Sequence, residues 1–135
     1  MIQSALMDLE RRIVHMKQIL HYSPRILSIL FCLFIMMFSF DVFEGDNSIF
    51  EMLIGFFMHN LPVFGMAIIT FFAWNNDLIG GVGFIGVSLF FFFLVSSNMN
   101  NEGGIMNPAV FIISLPALLI SALYFINFRY NHKKE

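Results

Sequence analysis

Four apolar blocks divide this chain, at about residues 25–43, 48–74, 78–96 and 108–128, with short polar stretches between them. Crossing a bilayer takes roughly 20 predominantly apolar residues in a helix, and the blocks are of that order. The few charges sit in the ends and loops, and this placement decides the class more firmly than any average. The average agrees: 59% of residues are hydrophobic and 12% charged, against about 25% charged in ordinary soluble domains. The expected fold class is an all-α integral membrane protein, an antiparallel four-helix transmembrane bundle preceded by an amphipathic N-terminal helix. One domain is expected, with residues 1–22 as the N-terminal helix, 23–128 as the four-span body and 129–135 as a basic tail.

All seven cations lie before the first block or after the last: Arg11, Arg12, Lys17, Arg25, Arg129, Lys133 and Lys134. The positive-inside rule then puts both termini in the cytoplasm, which requires an even number of spans. In a bacterium the membrane is the plasma, or inner, membrane. The opposite side is acidic, with Asp41, Glu44, Asp46, Glu51 and Glu102. A solvated loop face explains these acids more simply than a cation vestibule.

Ile2, Leu6, Leu9, Ile13, Met16 and Leu20 recur at alternating spacings of four and three, which puts them on one helical face. Such a helix either lies on the membrane with its cations toward lipid phosphates or pairs its seam with the same seam of another subunit. The interfacial reading is preferred. Acids within the segment and the lack of a small-residue cleavage site argue against a signal peptide. Ser23-Pro24 is expected to break the helix and let the chain change direction. Ser28, Cys32 and Ser39 then form a stripe of small residues on the first span, a packing face.

The second block holds His59, Asn60 and Pro62 in its middle. Polar residues at such depth face other helices or water rather than lipid. Glu51, Gly55, His59, Pro62, Met66 and Thr70 follow at helical spacings and share a face, while Leu53, Phe57, Leu61, Phe64, Ile68 and Phe71 take the other side. The candidate intramembrane polar face is therefore Glu51, His59, Asn60, Pro62 and Thr70. Its functional reading is a proton or ion path with His59 as the titratable group. Its structural reading, which is preferred, has His59 or Asn60 bonded to a neighbouring helix near the carbonyl that Pro62 frees. Ser48 and Glu51 match a capping box at the start of this helix.

Gly80, Gly83 and Gly86 on the third span, with Ser114, Ala117 and Ser121 on the fourth, are the candidate helix-packing residues, because small side chains let backbones approach. Asn107-Pro108 reads as the start of the fourth helix, and Pro116 is expected to kink it. Cys32 is the sole cysteine and is read as a packing residue. Hydrolase, phosphate-loop and metalloprotease motifs are absent, so no enzyme, metal, cofactor or nucleic-acid partner is expected.

Four stretches carry a resemblance: Phe40-Asp41-Val42-Phe43, His59-Asn60-Leu61-Pro62, Ala73-Trp74 through Ile79-Gly80-Gly81, and Ser114-Leu115-Pro116-Ala117-Leu118. On these the chain resembles a family of short, uncharacterised prokaryotic four-span membrane proteins, a domain of unknown function. The resemblance implies a four-span fold and no activity, and the long amphipathic N-terminus looks like an addition to it. The expected role is assembly or interaction in the lipid bilayer, as a homo-oligomer or as an accessory subunit of another membrane protein. The alternative is an oligomeric ion or proton channel with His59 in its pathway.

Overall fold

The structure, a computed structural model, describes residues 1–44, 48–98 and 108–132. Its elements are α1 (Ile2–Met37), a 3-10 helix (Phe38–Glu44), α2 (Ile49–His59), α3 (Leu61–Ala73), α4 (Asp77–Asn98) and α5 (Pro108–His132). All are helical, and no strand occurs among the described residues. Helices α1, α4 and α5 are each long and apolar enough to cross a membrane, and α2 with α3 makes a fourth candidate if that bent pair counts as one span. Pro108 opens α5; its expected cap, Asn107, lies outside the described residues, as do Asp46 and Glu102.

Two helix boundaries differ from the sequence expectation, and both differences have a local cause. The break expected at Pro24 does not occur: α1 runs unbroken for 36 residues, about 54 Å at the usual rise. A proline inside a helix leaves the carbonyl four residues back without its donor. Here that carbonyl, Leu20, accepts from the Ser23 hydroxyl at 3.3 Å. The next carbonyl, His21, accepts from the Arg25 guanidinium. The N-terminal segment is thus an extension of the first apolar helix rather than a helix of its own.

The second block, in contrast, is broken where one helix was expected. Helices α2 and α3 meet at Asn60 at an angle of 45°. Asn60 has φ −86° and ψ 1°, outside the regular helical basin. Its carboxamide donates to the Phe56 carbonyl at 2.9 Å, the kind of local bond by which asparagine competes with helix propagation. Pro62 then falls in the first turn of α3, where its missing N–H would have had no partner anyway.

Packing centres on α4 and α5, which run antiparallel. The Ser121 hydroxyl donates to the Gly81 carbonyl at 2.8 Å, and Ser88 donates to the Ser114 carbonyl at 2.9 Å. Phe31 and Ile35 of α1, Val63, Met66 and Ala73 of α3, Phe84 and Phe91 of α4, and Ala117, Ile120 and Tyr124 of α5 form one core. Helix α2 contributes nothing to it, having no buried residue; it rests on the 3-10 helix through Phe40, Phe43 and Phe56.

Candidate functional site

The most concentrated polar chemistry lies at one end of the bundle, where α1, the α3–α4 turn and α5 meet. Arg25 is 2% exposed and Asp77 8%, and they form an ion pair at 3.0 Å. The same guanidinium donates to the Trp74 carbonyl at 3.0 Å and lies 5.9 Å from the centre of the Trp74 ring, within cation–π range. The other carboxylate oxygen of Asp77 accepts from Asn127 at 2.9 Å and from Asn131 at 3.3 Å. One turn deeper, Ser28 donates to the Pro24 carbonyl at 2.6 Å and sits 3.3 Å from the Tyr124 hydroxyl.

Sequence explains each placement. Asn127 and Asn131 stand one turn apart on α5, so both reach the same carboxylate. Asp77 opens α4, where the helix dipole favours a negative charge. Gly80 lets the Tyr124 ring lie against the α4 backbone: a Cβ there would sit 2.7 Å from ring carbons. A buried ion needs both a counter-charge and hydrogen bonds; Asp77 has Arg25 on one oxygen and two amides on the other. Such a carboxylate has both oxygens held by side chains of neighbouring helices. The cluster ties three elements together; its chemistry is that of a clasp.

The residues of the expected polar face do not act together. Glu51 is exposed and closes the capping box with Ser48: the Ser48 N–H donates to its carboxylate at 3.0 Å, and its own N–H donates to the Ser48 hydroxyl at 3.4 Å. His59 is exposed, and its side chain has no hydrogen bond among the described residues. It is therefore not the buried group bonded to a neighbouring helix that the structural reading anticipated. Its neighbour Asn60 is 1% exposed, and its Oδ1 lacks a partner among the described residues. Pro62 is half-buried. Thr70 is buried and bonds back to the Met66 carbonyl at 2.8 Å. The break at Asn60 separates Glu51 and His59 from the buried stripe of α3. The facing residues Leu53, Phe57, Leu61, Phe64, Ile68 and Phe71 are all exposed.

Among the packing candidates, Gly83 receives Ile69 of α3 against its backbone, whereas Gly86 has nothing within 4 Å of where a Cβ would stand. Ser114, Ala117 and Ser121 are buried. On α1, Ser28 is buried and Cys32 half-buried, while Ser39, also buried, falls in the 3-10 helix.

The clasp is not recognised in the sequence, where Arg25 serves only as an orientation signal and Asp77 is not singled out. The available signal was topological. In four antiparallel spans, the start of the first, the turn after the second and the end of the fourth fall at one end. Each of these places carries a polar side chain close to an apolar block.

Neither the curated proteins nor the solved structures contain a match to this chain. A family model matches residues 12–135, so the part of the amphipathic segment from Arg12 onward lies inside the family pattern rather than being an addition to it. That model is the domain of unknown function DUF7670, and the chain belongs to this family.

Proposed function

We propose that this is a non-enzymatic, multi-pass integral membrane protein that works through assembly, by self-association or as an accessory subunit of another membrane protein. In this reading α1, the bent α2–α3 pair, α4 and α5 are four spans of an antiparallel bundle. Both termini face the cytoplasm of a prokaryotic cell, across the plasma membrane. Segregation of all seven cations to the two ends of the chain supports that orientation. One observation carries the functional reading: α2 and residues 1–16 of α1 hold no buried residue, and α2 rests on the rest of the chain through a few aromatic contacts to the 3-10 helix. Elements so thinly packed inside one chain are where another chain fits. Mass measurement of the purified protein in nanodiscs tests this. A stable complex of two or more chains, or co-purification with a defined membrane partner in fixed ratio, is expected. A strictly monomeric protein without such a partner overturns it.

A second reading, an ion or proton pore between several copies, is favoured by the exposure of Glu51 and His59 on the loosely packed α2. His59→Ala in liposomes separates the two. Because His59 is exposed, its truncation is expected to change stability by no more than about 0.5 kcal/mol. Proton or cation flux lost in that stable variant would replace the assembly reading by the pore. Absence of wild-type flux above lipid background from acid to neutral pH removes the pore.

A further inference from the structure

The N-terminal half of α1 extends beyond the bundle. Tyr130, close to the end of α5, shares a surface groove with Met16 and Lys17, and residues 1–16 are all exposed. About 22 Å of helix therefore stands clear of the other helices. Isolated helices of this length are marginal in water. Yet this one carries an exposed apolar stripe, with Ile2 81%, Leu9 56% and Met16 69% exposed. A stripe of that extent marks a contact surface.

Three occupants compete: lipid, a second copy and a different protein. Lipid requires the segment to turn through about a right angle onto the membrane plane, and α1 is unbroken through Pro24. The spacing of the stripe is instead that of a two-helix seam. Leu6, Ile13 and Leu20 take the a positions and Ile2, Leu9 and Met16 the d positions. A second copy, anchored in the same membrane the same way, would have to pair in parallel. Parallel pairing sets each g residue against the e residue five places on in the partner. Arg12 at g would then face Lys17 at e, twice per pair, while Glu10 at e would face only Ala5 at g. No attractive pair offsets that repulsion, so charge disfavours self-pairing here. The same two cations suit acids on another helix.

We propose that residues 1–20 form a docking helix for an amphipathic helix of a different protein, apolar along its own seam and acidic at the positions that flank it. The proposal rests on the assembly reading above and names its partner class.

The test uses the full-length protein in nanodiscs with two synthetic 21-residue helical peptides. Both carry Ile at a and Leu at d; one has Glu at every e and g position, the other Lys. One-to-one binding of the Glu peptide is expected, with the Lys peptide at least about tenfold weaker. Leu9→Glu with Ile13→Glu should weaken the Glu peptide by a similar factor. Arg12→Glu with Lys17→Glu should invert the preference. Equal binding of both peptides, or of neither, overturns the proposal. So does efficient disulfide cross-linking between copies of Leu9→Cys in a Cys32→Ser background, which would make a second copy the occupant. Quenching of a fluorophore at position 9 by brominated lipid would assign the stripe to the membrane and overturn it equally. If the Leu9→Glu, Ile13→Glu variant keeps its complex by mass, the docking helix falls and the assembly reading stands.

Discussion

Arg25 is the least expected residue to find at 2% exposure in a chain of this composition. Its charge is tolerated because Asp77 and two carbonyls meet it. Removing one member of a buried pair costs more than removing both, since the survivor keeps its desolvation penalty. Asp77→Asn is accordingly expected to destabilise the protein by about 3–5 kcal/mol, read as a fall in the unfolding midpoint in nanodiscs. Asp77→Leu combined with Arg25→Met should recover most of that loss. Additive losses in the double variant would show that the two residues act separately. No local pattern could have revealed this pair, because its members are 52 residues apart. Asn127 and Asn131 were equally silent, reading singly as ordinary polar residues near a helix end.

At the scale of elements, the two prolines show why helix boundaries were only partly legible. Pro24 and Pro62 have the same chemistry and opposite outcomes. The outcome depends on where each proline stands: Pro24 lies inside α1, where Ser23 bonds the freed Leu20 carbonyl and the helix continues. Pro62 stands in the first turn of α3, just after Asn60 has turned its own side chain back to Phe56 and the chain has bent. Glycines give a similar contrast. Both Gly80 and Gly86 read as packing residues in the sequence, but only the first touches a ring. Gly80→Ala should therefore cost about 1–3 kcal/mol through overpacking against Tyr124. Gly86→Ala, with open space around it, should change the unfolding midpoint little or raise it slightly. Equal effects at the two positions would contradict the α4–α5 contact described here.

For the whole molecule, the apolar blocks made helical structure legible because their length and continuity leave few alternatives. Which helix packs on which was less so, since a side chain fit for the core is equally fit for lipid. The proposed topology has a direct check. Reporters fused before Met1 and after His132 should both read cytoplasmic, and one inserted at Asn100 should read external. An external C-terminus would require an odd number of spans and dismantle the four-span proposal. The clasp, finally, sits at one end only, with the whole of α3 between it and α2. Mechanically, that makes the molecule stiff near one face of the proposed bilayer and compliant toward the other. Strain from thinning or lateral pressure collects where resistance is least, so the membrane would deform the protein at the 45° joint long before it stretched the bond between Arg25 and Asp77.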